Sequence, residues 1–331
     1  MNGAAATTAP KKGIRKSSPM KFFFKVIRRA ALLLSKASID WDIRYHVRRS
    51  VFGYAIVPVN GHRMYLDLKN DSGISKDLFI FRKREHLSTD FLLGEQVLRP
   101  GDTALDIGAN IGYYVLIESS LVGPKGTVYA IEPVSINYSL LQKNIELNRL
   151  ANVRTFHLAA GNEPGEAEIY VGKKGNFSSF IYHAGESYTG TEKVQIVTID
   201  EFVRTHHIRP DLVRMDVEGF EIAIIQGMRE TLAHKPKLLI EVHPHIMTRE
   251  QLEEMFSIIH ESGYTNVVEI KDKNEIWMKR SGEIRPSLRY LSSKLSKDGY
   301  ALGMGKITRM SLAELRQTLP ERGSAFHVLL S

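Results

Sequence analysis

Four short segments of this 331-residue chain combine residue types that could do chemistry. The first runs Asp106-Ile-Gly-Ala-Asn-Ile-Gly112. Gly108 and Gly112 permit a tight turn and a close backbone approach, and a helix starting there would offer free N–H groups. This is not the dinucleotide fingerprint: Asn110 stands where its middle glycine would be, and no Lys-Ser/Thr of a phosphate loop follows. Asp106 could cap the next helix, or it could repel a pyrophosphate and attract an ammonium group. The second segment closes on Glu132, a carboxylate ending an apolar run and suited to accept both hydroxyls of a ribose. Two acidic strand ends 26 residues apart favour the ligand reading of Asp106. They call for a nucleoside that carries positive charge and no phosphate, which describes S-adenosylmethionine (SAM). Asp106, Gly108, Asn110, Gly112 and Glu132 would hold it, and the small residues Ala160 and Asn162 would line its adenine edge.

The third segment, Arg214-Met-Asp-Val-Glu-Gly-Phe-Glu221, places three carboxylates within six residues. Glu218 could simply favour a helix dipole, and Glu221 could face solvent. Asp216 is harder to explain by packing. The fourth segment, Glu241-Val-His-Pro-His245, puts His243 on what should be a neighbouring strand facing the same crevice as Asp216. Asp216, Glu218 or His243 could therefore act as general base for an acceptor hydroxyl. A divalent ion held by Asp216, Glu218 and His243 is the rival use of the same side chains; no metal is assigned.

These residues need elements that bring them to one edge. Apolar runs predict strands at Thr103–Ile107, Thr127–Ile131, Val153–Leu158, Ala167–Val171, Val194–Ile199, Leu212–Asp216, Lys237–Val242 and Asn266–Ile270. Amphipathic stretches predict helices at Gly112–Val122, Ser135–Asn148, Glu201–His206, Glu218–His234 (broken near Gly227) and Arg249–Ser262. Such alternation with short connections implies a parallel sheet with right-handed crossovers, and ligands at the carboxyl ends of its strands. Upstream, Phe52–Val59 and Arg63–Leu68 flank Asn60-Gly61, a hairpin signal, and a helix is expected over His86–Leu98.

Composition narrows the class. A hydrophobic content of 43% and a charged content of 25% fit a globular protein, and the absence of cysteine excludes disulfides, thiolate zinc sites and a cysteine nucleophile. Residues 1–50 carry 12 Lys and Arg against 2 Asp and Glu, whereas residues 51–270 are net acidic. An acidic core repels a phosphate backbone, so nucleic acid is not the expected partner. Lys21–Ser35 is too often interrupted by charge to span a bilayer, but as a helix it could lie on an anionic membrane surface. The expected location is the cytoplasm, with peripheral membrane contact through this basic segment as an option.

The same residues carry a family resemblance over about Pro100–Ile270. Leu105-Asp-Ile-Gly-Ala-Asn-Ile-Gly-Tyr-Tyr114, Gly126-Thr-Val-Tyr-Ala-Ile-Glu-Pro133, Leu140–Asn148, Phe177-Ser-Ser179, Val197-Thr-Ile-Asp200 and Met215-Asp-Val-Glu-Gly-Phe-Glu221 agree in order and spacing. The chain resembles the FkbM-type SAM-dependent methyltransferases, with Arg214 where that family more often has Lys. The resemblance implies a class I methyltransferase, an α/β Rossmann-like fold with a seven-stranded, mostly parallel sheet whose last strand is antiparallel. Phe326–Leu330 is the candidate for that strand and Glu275–Lys279 its rival. It also implies O-methylation of a small-molecule, sugar, glycan or lipid hydroxyl. The expected organisation is a disordered basic tail over 1–20 and a helical and hairpin extension over 21–99. A SAM-binding core over 100–270 follows, then an insertion plus the final strand over 271–331. A nicotinamide-dependent oxidoreductase and a non-catalytic SAM-binding protein are the alternatives.

Overall fold

A computed structural model describes residues 43–70, 73–172, 178–180, 187–272, 305–319 and 323–331. The predicted tail, the Lys21–Ser35 segment and the rival strand Glu275–Lys279 lie outside the described residues. Helix α1 (43–51) leads into a hairpin of β1 (Tyr54–Val59) and β2 (His62–Asp67). Its Asn60-Gly61 turn has positive φ at both residues, 47° and 82°, as a two-residue primed turn requires. Helices α2 (Ile74–Phe81) and α3 (His86–Gly94) precede β3 (Thr103–Ile107), α4 (Tyr113–Val122), β4 (Thr127–Ile131), α5 (Ser135–Asn148) and β5 (Val153–Phe156). A small sheet of β6 (Ala159–Ala160), β7 (Gly165–Gly172) and β8 (Tyr188–Val197) then interrupts the alternation. The chain resumes with α6 (Ile199–Thr205), β9 (Leu212–Met215), α7 (Glu221–Gln226), α8 (Arg229–Ala233), β10 (Lys237–Val242), α9 (Arg249–Glu261) and β11 (Asn266–Asp272). It closes with β12 (Gly305–Ser311), α10 (Leu312–Thr318) and β13 (Phe326–Leu330).

The main sheet has the order β12-β11-β13-β10-β9-β3-β4-β5. Strands β5, β4, β3, β9 and β10 are mutually parallel, and β13 runs antiparallel between β10 and β11. Among the described residues the sheet therefore has eight strands, not the seven expected. The additional one, β12, comes from residues read as insertion and pairs antiparallel along the whole of β11. It is an edge strand that carries Lys306 and Arg309 and is only half-buried, so it presents no apolar run to read.

From β3 the chain adds β4 and β5 on one side, and β9 and β10 on the other. The crevice at the carboxyl ends of β3 and β9 is thus the topological switch point. Helix α4 covers the sheet there and is itself covered by the hairpin and by α2 and α3, so nearly every one of its side chains is buried. The hairpin is fixed to α5 by two asparagines one turn apart. Asn144 Oδ1 accepts from Tyr65 N at 2.6 Å, and Asn148 exchanges hydrogen bonds with the backbone of Arg63 at 2.9 and 2.6 Å. These amides satisfy the backbone along the outer edge of β2 as a further strand would.

Several boundaries differ from expectation for local reasons. The strand expected over Val194–Ile199 starts earlier and stops at Val197, because Thr198 Oγ1 accepts from Glu201 N at 3.1 Å and caps α6. The helix expected from Glu218 starts at Glu221, since Glu218 (φ 50°) and Gly219 (φ 97°) form a left-handed turn. Helix α3 ends at Gly94, short of Leu98. At Gly108 (φ 83°) a Cβ would lie 2.0 Å from the carbonyl oxygen of Asp216, so only glycine lets the loop after β3 pass the end of β9.

Candidate active site

The loop Gly108–Gly112 is tied to the end of β4. Gly108 N and Ala109 N both donate to Ile131 O at 3.0 Å, and Asn110 N donates to Glu132 Oε2 at 2.8 Å. Glu132 Oε1 accepts from Val134 N at 2.9 Å. Oε1 also accepts from Asn137 Nδ2 at 3.4 Å, so Oε2 is the oxygen that keeps an acceptor site. Burial raises Glu132 to about 7 against the opposing pull of those two backbone N–H groups and the Asn137 amide. Ala160 is buried in β6, and Asn162 is exposed on the rim beyond Gly161.

Asp106 stands differently from its sequence reading. It is fully buried, and Arg214 Nη1 donates to its Oδ1 at 2.9 Å. The two are direct cross-strand partners in the parallel register of β3 and β9, so they share a face. Arg214 also reaches Asp216 Oδ2 at 3.2 Å and lies over the ring of Tyr114 at 3.8 Å. Asp106 is therefore neutralised from within and does not present a bare charge to a ligand. Its Oδ2 has no hydrogen-bond partner among the described residues, nor has either oxygen of Glu118, which is fully buried on α4. Burial first, and then the neighbouring Asp106 charge, hold Glu118 well above the usual carboxylate range. A protonated Glu118 is the form this site accepts.

The negative potential of the crevice comes from the ends of β9 and β10. Asp216, Glu218, Glu221, Glu241 and His243 do come together there. Glu221, which could have faced solvent, is fully buried; its Oε1 accepts from His243 Nδ1 at 2.6 Å and from Gly219 N at 3.2 Å. That bond turns His243 Nε2 towards Glu218 Oε2 at 3.4 Å and Glu241 Oε1 at 3.9 Å. Burial alone would lower His243, but the hydrogen bond and charge of Glu221, then Glu241 and Glu218, hold it well above its ordinary value. Burial pushes Glu218 up to about 8. Of the trio weighed as a rival metal site, Asp216 and His243 share ligand spacing with Glu241, while Glu218 Oε2 approaches His243 Nε2 alone.

Three further contributors carried no sequence signal. Arg84 and Glu85 reach the crevice from the connection between α2 and α3, and His327 reaches it from β13. Tyr113 Oη holds the connection by accepting from Arg84 N at 3.0 Å, with Asn60 Nδ2 at 3.1 Å and Thr89 Oγ1 at 3.0 Å. Tyr114 Oη donates to Glu85 Oε2 at 2.5 Å. Glu85 is held in a left-handed conformation (φ 39°), an uncommon one for glutamate and a mark of local constraint. His327 is the cross-strand partner of Glu241, and its Nε2 lies 3.4 Å from both Glu85 Oε2 and Glu241 Oε2.

SAM fits this donor set. Glu132 keeps an acceptor site on Oε2 for a ribose hydroxyl, and the carboxylates of β9 and β10 outnumber Arg84 and Arg214. The fold and the site together define the class of Rossmann-like SAM-dependent methyltransferases. Residues 106–265 match the family model of the methyltransferase FkbM domain. The nicotinamide-dependent oxidoreductase is thereby set aside. "Methyltransferase 1" of Beauveria bassiana is 26% identical over 149 residues, 39% of this chain and 59% of that protein. "Hexuronic acid methyltransferase AglP" of Haloferax volcanii is 25% identical over 143 residues, 43% of this chain and 56% of that protein. "31-O-demethyl-FK506 methyltransferase FkbM" of Streptomyces tacrolimicus is 40% identical over 68 residues, 20% of this chain and 25% of that protein. The chain thus spans little more than half the length of the first two relatives. Among the described residues no helix is long and apolar enough to cross a membrane.

Proposed function

We propose that this chain methylates a hydroxyl group of a small-molecule, sugar, glycan or lipid acceptor, with His243 as general base. The Glu221–His243 dyad carries the reading. Its Nδ1–H is committed to a buried carboxylate, and its Nε2 faces the crevice at the switch point. When bound, SAM supplies a methyl group on a positively charged sulfur. Glu132 receives the ribose hydroxyls, Gly108–Gly112 and Asn110 line the amino-acid end, and Ala160 and Asn162 border the adenine. Asp216, Glu218 and Glu241 favour the positive charge, and they orient an acceptor oxygen towards the position of the methyl group. His243 Nε2 takes the hydroxyl proton as that oxygen attacks, and Glu221 stabilises the imidazolium that forms. The names "hexuronic acid methyltransferase" and "31-O-demethyl-FK506 methyltransferase" of two relatives support an oxygen acceptor on a sugar or small molecule.

Calorimetry with SAM should show one site per chain, and labelled SAM should transfer its methyl group to a hydroxylated acceptor drawn from glycans, polyketides and lipids. SAM binding with no transfer to any of these would leave a non-catalytic binding protein. Failure to bind SAM at all would refute the reading.

Affinity for SAM should also depend on pH in a definite direction. A diol donates to Glu132, so binding needs the carboxylate, whose pKa is about 7. Affinity rises as pH rises through that value, by about tenfold between pH 6 and pH 8. In Glu132→Gln the affinity is lower and this dependence is lost. A wild-type dissociation constant that stayed flat over the interval would show that Glu132 does not receive the ribose.

A further inference from the structure

We propose that Glu85, Glu241 and His327 form a binding site for a single divalent transition-metal ion of zinc size, with a fourth position open to the acceptor crevice. The proposal concerns a ligand set different from the one the sequence suggested, and it does not depend on the methyl-transfer reading.

His327 is 6% exposed, and its Nε2 is buried without a hydrogen-bond partner among the described residues. That nitrogen is aimed between two carboxylate oxygens, Glu85 Oε2 and Glu241 Oε2, each at 3.4 Å. A charge-assisted N–H···O bond closes to about 2.7–2.9 Å, and both contacts are longer than that. They match another geometry. Donors each about 2.1 Å from a tetrahedral ion stand about 3.4 Å apart. The donor atoms of all three residues lie within 4.8 Å of one another.

The surroundings suit a cation. Glu85, Asp106, Asp216, Glu218, Glu221 and Glu241 meet here, and apart from the histidines the facing cations are Arg84 and Arg214. A divalent ion would reduce that excess of negative charge. The ligands are also individually positioned. Glu85 is held by the Tyr114 hydroxyl, and Glu241 and His327 are register partners in adjacent antiparallel strands. An imidazole with two carboxylates selects zinc, manganese or iron over magnesium, which prefers six oxygens and its own waters. Three protein ligands leave one position vacant, the pattern of sites where a metal receives water or a substrate oxygen. His243 lies beside it, with Nε2 3.9 Å from Glu241 Oε1.

The test is metal binding by the full chain in the absence of SAM. Chelator-treated protein is titrated with ZnCl₂, then with CoCl₂, whose four-coordinate complexes absorb visible light strongly. One Zn²⁺ per chain is expected, with a four-coordinate Co²⁺ spectrum and no saturable binding of MgCl₂. His327→Ala and Glu85→Gln should each weaken Zn²⁺ binding by at least about 100-fold, the upper range for loss of an outer-shell partner. His243→Ala should change it less than about threefold. The isosteric Glu85→Gln carries the comparison should His327→Ala fail to fold. Absence of one-to-one binding overturns the proposal. So does binding that survives Glu85→Gln, or binding that is lost in His243→Ala and kept in His327→Ala. None of these results touches SAM affinity, which separates this proposal from the assignment of the cofactor site.

Discussion

His243→Ala lowers kcat by about 10²–10⁴-fold and leaves the dissociation constant of SAM within about threefold. The range is what positioned proton transfer contributes to an enzymic step. Binding is spared because His243 sits at the end of β10, while the cofactor residues cluster after β3 and β4. Glu221→Gln should cost less than His243→Ala. The amide can still meet Nδ1, but it neither fixes the tautomer nor stabilises an imidazolium. The pH profile carries the sharper test. A base must be neutral to accept a proton, and His243 lies well above its ordinary value, so the wild-type rate climbs with pH on the alkaline side of neutrality. A cationic cofactor nearby favours the neutral ring and draws this limb downwards. The limb should shift to lower pH in Glu221→Gln and vanish in His243→Ala. Normal turnover by His243→Ala would remove the histidine from the chemistry and leave Asp216 or Glu218 as the base.

Arg214→Met destabilises the protein by about 3–5 kcal/mol, measured by urea unfolding. Arg214 is 4% exposed and is held by Asp106, Asp216 and the face of Tyr114. Removing it strands the Asp106 carboxylate in a fully buried position beside Glu118, and breaking a buried pair from one side costs that much. Arg214→Lys keeps the charge but loses the two-armed contact and the ring stacking, so it should fall between the two. Adding Asp106→Asn to Arg214→Met removes the stranded charge and should recover a substantial part of the loss. A single-variant cost below about 1 kcal/mol would mean that the Asp106–Arg214 pair contributes little to holding the switch point together.

The alternating core was legible because its strands are short apolar runs bracketed by glycine, proline and acidic residues. Thr103–Ile107, Thr127–Ile131 and Lys237–Val242 fall where the pattern places them, as does helix Ser135–Asn148, and Phe326–Leu330 forms the antiparallel strand that the resemblance implied. Edge strand β12 was not legible, since charged side chains suit a half-solvated strand and leave no apolar signature. The site was legible in part. Residue type and spacing single out Asp216, Glu218 and His243, and the fold gathers them. The pairing of Asp106 was not legible because it depends on Arg214, its neighbour in register; that fact belongs to strand order and not to either local segment. Glu221 looked solvent-facing because the left-handed turn at Glu218 and Gly219, which redirects it inward, has no strong local signature. Glu118 had a signal, a lone charge in the apolar run Tyr113–Val122. Glu85 and His327 had none: each is an ordinary polar residue until distant chain segments meet.

Strand β13 is hydrogen-bonded on both sides, to β10 and to β11, yet it follows every other described strand in the sequence. The sheet interior therefore cannot be completed by local zippering. Until those five residues arrive, β10 and β11 face each other across a gap with unpaired edges. Such an order of events means high contact order, slow maturation and a transient that exposes sticky edges to other chains. Conditions that slow the docking of Phe326–Leu330 would be expected to divert this protein into aggregates well before they weaken its finished form.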